Sequence, residues 1–328
     1  MTDVDILVFG ATAFSIVWQA KKWPTTGQYL PATSCTMDIG GRAASQSLAA
    51  AKLGAKVALI TRLGTDDYGN EYLECLQTNN IKTEFVTMCD NASTAVYQKT
   101  ITENGVTETF FDGAINLLCK NDLENAKTLL CEAKVLICQQ EVPTDLTLYA
   151  LRKFKGISIL NASPHVTVDT TELLKSASII CLNGTEATQL VEIENIVTPR
   201  DCIGALDKII GKGAKAAIIL LGPIGCVYAL NGLPARCIHV PIVGVLNMEL
   251  HTFTDAFIGA LAYLMTNYPK AEFHQKVGGA TELAGRLIEL AELEKLSDPD
   301  MPVINKKLDL NINLYTQCYQ WENLTRND

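Results

Sequence analysis

The sequence predicts an α/β protein built on a doubly wound, mostly parallel sheet, with a smaller separate sheet beside it. From residue 123 onward, short apolar runs alternate with helical patterns, as expected when helices join parallel strands. Residues 94–111 alternate well enough to form two strands joined at Asn104-Gly105, a pair that favours a type I′ hairpin turn. We therefore expect a single domain over residues 1–328.

Composition limits the class of protein. The chain has 328 residues, a net charge of −9 and 11 cysteines. Because the acidic charge is spread without long runs, it gives no support for nucleic-acid binding. The cysteines form no Cys-x-x-Cys pair, and no apolar run is long enough to span a membrane. We expect reduced thiols in a cytoplasmic protein without nucleic-acid or membrane partners.

The first half of the chain begins with a buried strand over residues 5–10. Residues 39–54 then predict a glycine turn and an alanine-rich helix, which ends at Gly54. Gly40 and Gly41 allow the backbone to approach a ligand closely. Residues 57–69 predict a strand and a turn before a helix over residues 70–79.

The second half alternates strands and helices. Strands are expected within residues 133–141, 157–164, 176–187 and 216–225, and helices over 146–154, near Leu173, over 202–212 and over 280–296. Ligands of such sheets lie beyond the carboxyl ends of the strands, where Glu141 and Asn183 are placed. Asn183 and Glu186 also have the spacing of a helix capping box, a structural role that is compatible with ligand binding.

The last core helix is predicted from the apolar spacing of residues 256–264. Thr254 and Asp255 are expected to cap its N-terminus. A helix N-terminus presents unpaired N–H groups that can hold an anion, so an aspartate there could accept a proton from a hydroxyl while the amides of residues 252–255 hold a phosphate. The alternative is that Asp255 is only a helix cap.

Three segments resemble signatures of the ribokinase-like (PfkB) carbohydrate kinases. Residues 40–55 are similar to G-G-K-G-A-N-Q-x-x-A-A-x-x-L-G-A, residues 64–69 to G-x-D-x-x-G, and residues 249–260 to D-T-T-G-A-G-D-x-F-x-G-A. The resemblance covers about residues 5–265. It implies a ribokinase-like fold with a small β-sheet lid, contributed by segments near residues 27–37 and 94–111, followed by a C-terminal tail over residues 303–328.

The resemblance also implies an activity, namely ATP-dependent phosphorylation of a sugar primary hydroxyl, with ribose converted to ribose 5-phosphate as the default. Asp255 matches the catalytic base, and ATP and Mg²⁺ are the implied cofactors. The positions that match substrate-binding residues are Ser15, Gly40, Gly41, Arg42, Ser45 and Glu141. The positions that match the nucleotide site are Asn183, Leu220, Leu221, Gly222, Gly225, Thr252 and Thr254. Glu186 matches the residue that organises Mg²⁺ through water, and Glu249 and His251 match ligands of K⁺. A homodimer through the lid is the implied assembly.

Two alternatives remain open, because the departures from the family pattern fall at ligand positions. Ser15 and Ser45 replace an aspartate and an asparagine, Thr252 and Thr254 replace glycines, and no Gly-Thr turn follows the helix at 280–296. The first alternative is a catalytically impaired kinase that serves as a ligand-binding or interaction protein. The other alternative is a kinase for a different sugar or a nucleoside.

Overall fold

A computed structural model describes residues 3–162, 170–193, 195–233, 235–238, 250–296 and 319–320. Its strands are β1 Ile6–Phe9, β2 Ala13–Gln19, β3 Ser34–Gly40, β4 Val57–Gly64, β5 Val86–Cys89, β6 Val96–Thr102, β7 Gly105–Phe111, β8 Val135–Gln139, β9 Ile157–Asn161, β10 Ile179–Asn183, β11 Ala216–Leu220, β12 Cys226–Leu230, β13 Arg236–Ile238 and β14 Tyr319–Gln320.

The α-helices are α1 Arg42–Lys52, α2 Asp67–Thr78, α3 Lys120–Asn125, α4 Lys127–Glu132, α5 Thr144–Lys153, α6 Thr171–Ser176, α7 Gly184–Val191, α8 Asp201–Gly211, α9 Leu250–Asn267 and α10 Phe273–Leu296. Short 3-10 helices span Gly113–Leu117 and Gly222–Ile224.

The larger sheet has the strand order β14-β13-β12-β11-β10-β9-β8-β1-β4-β5. Neighbours from β5 to β11 run parallel, and β12, β13 and β14 are antiparallel additions at one edge. The predicted doubly wound, mostly parallel sheet is confirmed. Its central strands are continuous apolar runs because helices cover both faces.

Two helical layers enclose this sheet. Side chains of α1, α2, α9 and α10 form the core on one face, and those of α3 to α8 form the core on the other. The helix α1 packs closely on α9, which places the glycine turn before α1 beside the last core helix. The helix α2 begins at Asp67, earlier than predicted, because the Asp66 side chain caps it by accepting the Gly69 N–H at 2.8 Å.

The smaller sheet has the order β3-β2-β6-β7. The predicted hairpin is present as β6 and β7, and the segment near residues 27–37 contributes β3. Sequence reasoning missed β2, which follows β1 closely and pairs with both β3 and β6. The hairpin turn is not type I′, because Asn104 does not have the positive φ that this turn requires.

Within the predicted tail over residues 303–328, the structure describes only Tyr319–Gln320, which pair with β13. The remainder of that segment lies outside the described residues. None of the described helices combines the length and apolar character needed to cross a membrane.

Gly259 lies where α9 crosses α1. A Cβ at this position would be 2.6 Å from the Ala49 Cβ and 2.6 Å from the Gln46 carbonyl oxygen. Real Cβ atoms do not approach other atoms so closely, so the spacing of the two helices requires a glycine here.

Gly259→Ala is therefore expected to lower the free energy of unfolding by roughly 1–3 kcal/mol, because it forces α1 away from α9. The matched control is Gly204→Ala in α8, where a Cβ meets nothing within 4 Å. The control should gain up to about 1 kcal/mol from helix propensity. Urea unfolding measures both variants, and a Gly259→Ala protein as stable as the parent would contradict the close contact.

Candidate active site

Four neighbouring strands end at one edge of the larger sheet, and three of them bring a polar side chain there. Asn161 ends β9, Asn183 ends β10 and Leu220 ends β11, and Glu141 lies two residues beyond β8. Because these strands are parallel neighbours, their carboxyl ends share that edge. The sequence-based placement of Glu141 and Asn183 at strand ends is confirmed.

Arg42 joins the acidic groups of this edge. Its Nε donates to Glu141 Oε1 at 3.0 Å, and its Nη1 donates to Asn161 Oδ1 at 2.9 Å. Its Nη2 lies 2.8 Å from Glu186 Oε1, and Nη1 lies 4.0 Å from Asp255 Oδ1. The planar guanidinium has enough donors to reach several partners at once, which a lysine ammonium on the same stem would not. We call Arg42, Glu141, Asn161, Glu186 and Asp255 the Arg42 cluster.

The position of Arg42 follows from the start of α1. Gly41 caps this helix with φ +85°, a conformation that side chains rarely adopt. A Cβ on Gly41 would also lie 2.7 Å from the Ala13 backbone nitrogen. Burial lowers the pKa of Arg42, but Asp255, Glu186 and Glu141 outweigh it and raise the pKa above its ordinary value. Arg42 is therefore a permanent positive charge within the cluster.

Asp255 is buried, with 8% of its side chain exposed. Its Oδ1 accepts the Gln46 Nε2–H at 2.8 Å. Burial raises the pKa of Asp255 most strongly, Arg42 and Gln46 lower it, and the net result is a pKa of about 7. This carboxylate therefore exchanges a proton near neutral pH, as a general base does.

Gln46 and Asn161 are site residues that sequence reasoning missed. Gln46 is fully buried on α1, and Asn161 is fully buried at the end of β9. Two sequence features could have indicated these residues. Gln46 is a polar residue within the alanine-rich helix α1, and Asn161 is an amide at the end of an apolar strand. Asn161 Nδ2 lies 3.3 Å from Glu186 Oε2, which ties the asparagine to the next acidic group.

Glu186 holds the start of α7. The predicted capping box is confirmed, since Asn183 N–H donates to Glu186 Oε2 and Glu186 N–H donates to Asn183 Oδ1, both at 2.8 Å. The other oxygen, Oε1, is close to Arg42 Nη2 but its direction does not make a hydrogen bond, so this contact is an ion pair.

A buried carboxylate oxygen without a hydrogen bond is a hard ligand of the kind that Mg²⁺ takes directly or through water. The described residues contain no group of three or more His, Cys, Asp or Glu side chains placed to hold a metal ion. Mg²⁺ usually keeps several waters and binds few carboxylates, so a single carboxylate such as Glu186 has suitable donor chemistry for it.

The glycine turn after β11 lies beside Asn183. Asn183 pairs with Leu220 across the parallel strands, and the 3-10 helix at Gly222–Ile224 follows directly. Gly222 and Gly225 have φ of +59° and +104°, and the Leu221 N–H donates to the Gly225 carbonyl oxygen at 2.8 Å. The turn predicted from the two glycines is therefore present.

Ser15 lies in β2, near the glycine turn. A Cβ on Gly40 would be 3.0 Å from the Ser15 Cβ, so β2 and β3 pack closely here. Ser45 lies one turn into α1 and is partly exposed. Within the described ranges, no hydrogen bond joins either serine side chain to the Arg42 cluster.

The prediction that Thr254 and Asp255 cap the last core helix is wrong. The chain is already helical at Leu250, so the amides of Thr254 and Asp255 fall in the second turn, where N–H groups pair with earlier carbonyl groups. Thr254 is buried, and its Oγ1 donates to the Leu250 carbonyl oxygen at 2.8 Å. Thr252 and Phe253 lie in the first described turn, where N–H groups can be free.

Only one of the two positions that match K⁺ ligands lies among the described residues. Glu249 lies outside the described residues. His251 is exposed in the first described turn of α9, and it contributes a lowering of the Asp255 pKa. The K⁺ site stays a prediction.

Comparison with known proteins identifies the family. The model for "pfkB family carbohydrate kinase" matches residues 4–265. The chain is 28% identical to a ribokinase of Mus musculus over 274 residues, which is 82% of this chain and 84% of the mouse protein.

Solved structures show the same fold. A structure titled ribokinase from Giardia lamblia gives a TM-score of 0.75 at 19% identity, covering 86% of this chain and 92% of that one. An Arabidopsis thaliana ribokinase complexed with ribose and ATP gives 0.74 at 21% identity, covering 86% and 91%. Since the family model spans most of its length, the chain belongs to the pfkB family of carbohydrate kinases.

Proposed function

We propose that this protein transfers the terminal phosphoryl group of ATP to the primary hydroxyl of a furanose sugar, with Asp255 as the base. One observation carries the proposal. A buried carboxylate with a pKa of about 7 lies in one cluster with a second carboxylate at a strand end, Glu141, and a third, Glu186, that fits Mg²⁺. Phosphoryl transfer needs positioning and charge stabilisation more than covalent chemistry, so this set is sufficient.

Asp255 performs the proton transfer in this proposal. Gln46 occupies Oδ1, so Oδ2 is the oxygen that remains to accept the hydroxyl proton. When the proton moves to Asp255, the sugar oxygen becomes the nucleophile and the carboxyl becomes neutral, which its buried environment favours. Arg42 lies beside this reaction as the cation that neutralises negative charge on the transferred group.

Glu141 orients the sugar. Its carboxylate is partly exposed at the carboxyl edge and would accept hydrogen bonds from sugar hydroxyls. Ribose is the proposed substrate, supported by the mouse ribokinase relative and by the ribose bound in the Arabidopsis structure. Ser15 and Ser45 are proposed to contact the sugar through uncharged hydroxyls, and Gly40 and Gly41 to allow its close approach.

ATP with Mg²⁺ supplies the phosphoryl group and offsets its charge. Glu186 would hold Mg²⁺ through water, beside Asn183. The turn formed by Leu221, Gly222 and Gly225, directly after Leu220, would lie under the nucleotide. Thr252, in the first described turn of α9, is the proposed phosphate-side residue, whereas Thr254 is occupied by its bond to the Leu250 carbonyl group.

We also propose a homodimer through the smaller sheet. The sheet has β3 and β7 at its edges, and exposed apolar side chains lie on both, including Met37 and Phe111 at 56% and 57% exposure. Exposed edge strands with apolar side chains favour pairing with another chain. Sedimentation equilibrium that gives a monomer mass at micromolar concentration would contradict this proposal.

Turnover is tested by release of ADP with a panel of pentoses, hexoses and nucleosides. The parent protein should phosphorylate a pentose, and Asp255→Asn should lower kcat by roughly 10²–10⁴ because the base is removed. The matched control is Asp122→Asn, which removes a buried carboxylate paired with Arg62 outside the cluster and should keep turnover. Retained activity in Asp255→Asn would exclude the base.

Two other results of the same assay would each indicate one of the alternative functions. Turnover with a nucleoside and with no free sugar would indicate a nucleoside kinase. Absence of turnover with every acceptor, together with a thermal shift on adding Mg²⁺ and ATP, would indicate a nucleotide-dependent binding protein.

The raised pKa of Asp255 predicts how stability changes with pH. In the unfolded chain its pKa returns to about 3.8, so its favourable contribution is complete below that pH and is lost as pH rises to about 7. Asp255→Asn avoids this loss. The variant should therefore gain stability relative to the parent as pH rises from 5 to 8.5, by up to about 3 kcal/mol in free energy of unfolding.

The control for this series is Asp66→Asn. The Thr94 and Gly69 hydrogen bonds outweigh burial and lower the pKa of Asp66, so its titration lies below the tested range. Urea unfolding should give a constant difference from the parent for Asp66→Asn. A constant difference for Asp255→Asn as well would contradict the raised pKa.

A further inference from the structure

We propose that Gln46, fixed in orientation by Gln139, is the residue that positions Asp255 for proton transfer. This inference rests on the proposed function, since it assigns a partner to the proposed base. Gln46 has no contact with substrate in this account, so it acts through Asp255 as a positioning residue.

Three hydrogen bonds hold the side-chain amide of Gln46. Its Nε2 donates to Asp255 Oδ1 at 2.8 Å and lies 3.2 Å from Asn161 Oδ1. Its Oε1 accepts from Gln139 Nε2 at 2.6 Å. Gln46 and Gln139 are both fully buried, so water does not compete for these bonds. The amide therefore has one orientation, and the carboxylate has a fixed partner.

The chain of hydrogen bonds runs in one direction, from Gln139 through Gln46 to Asp255. Gln139 Oε1 is buried and has no hydrogen-bond partner, an arrangement that costs stability. If both amides were turned over, Gln139 Oε1 would gain the Gln46 N–H. The Gln46 oxygen would then face Asp255 Oδ1, and two acceptors would repel each other. The observed orientation thus favours the ionised form of Asp255, which is the form that accepts a proton.

Other charged groups also act on Asp255. Arg42 on α1 and His251 on α9 lower its pKa, and Glu141 beyond β8 raises it. Glu186 on α7 shares Arg42 with Asp255, and it is also linked to Asp255 through Asn161 and Gln46. Arg42 lies 4.0 Å from Oδ1 and makes closer contacts with three other groups, whereas Gln46 is at hydrogen-bond distance. Alignment of the carboxylate therefore depends on Gln46.

The test compares Gln46→Met, which keeps the side-chain length and removes the amide, with the parent in the full chain. Carbon-13 NMR of labelled aspartate, with the Asp255 signal assigned by Asp255→Asn, follows the titration of Asp255 without any substrate. We expect its pKa to rise by roughly one unit, because a hydrogen bond to the charged form is lost. A pKa equal to that of the parent would overturn the inference.

Kinetics give the second measurement. With a one-unit rise, kcat at pH 7 should fall about fivefold and most of this loss should disappear by pH 9, while KM for the sugar stays within about twofold. A loss of kcat that is the same at every pH, with an unchanged pKa, would indicate that Gln46 only supports the fold.

Two variants keep the test decisive. Gln139→Met retains Gln46 but removes its anchor, so it should shift the Asp255 pKa in the same direction and serves if Gln46→Met does not fold. Ser47→Ala is the matched control on the same helix, since Ser47 is buried and its Oγ donates to the Ala43 carbonyl oxygen. A shift in Ser47→Ala equal to that in Gln46→Met would overturn the inference.

If no acceptor is phosphorylated, the proposed function fails, and the NMR titration alone decides the role of Gln46.

Discussion

The guanidinium of Arg42 is the interaction on which the active-site edge depends. It brings together Glu141, Glu186 and Asp255, which come from a strand end and two different helices. Carboxylates that are mostly buried and close together repel one another and lose their hydration, so without a cation they would protonate or separate. One arginine supplies the opposing charge and directed hydrogen bonds. Its planar guanidinium has donors on three nitrogens, so it can contact several carboxylates at once.

This arrangement places strict demands on the backbone around it. Arg42 is the first residue of α1, so its position is set by Gly41 at φ +85° and by the close crossing of α1 and α9 at Gly259. The same crossing brings Gln46 to Asp255. Arg42, Gln46, Asn161, Glu186 and Asp255 thus lie on helices or a strand end, which favours accurate placement of catalytic groups, whereas Glu141 lies in the loop after β8.

The site also retains features that cost stability. The pKa of Asp255 is raised to about 7, and polar atoms of Gln139, Gln140 and Glu186 are buried without a hydrogen-bond partner. Such groups are tolerated where a site must later bind ligand or transfer a proton. The ion pair of Arg42 with Glu186 has to rearrange if Mg²⁺ takes the Glu186 oxygen, so ligand binding and the internal charge network are linked.

The sequence predicted most of the architecture and the position of Glu141 and Asn183 at strand ends. Apolar runs mark the parallel strands, and parallel pairing then brings Glu141 and Asn183 to one edge. The sequence did not predict the role of Gln46 or Asn161, because the contacts of Gln46 join distant parts of the chain. Asn161 lies 115 residues from Gln46 in sequence, and Asp255 lies 209 residues from it. Thr254 and Asp255 have the residue types of a helix cap, but tertiary packing extends α9 to Leu250. Local propensity cannot register such long-range effects.

The most direct measurement is a double-mutant cycle between Arg42→Met and Glu186→Gln, read as the free energy of unfolding at pH 8. Removing Arg42 alone should cost roughly 3–5 kcal/mol, because it leaves buried carboxylates without a cation. Removing the Glu186 charge as well should recover part of that loss, with a coupling energy of about 1–3 kcal/mol. Additive effects of the two substitutions would contradict the account, since they would mean that Arg42 does not hold the acidic groups together.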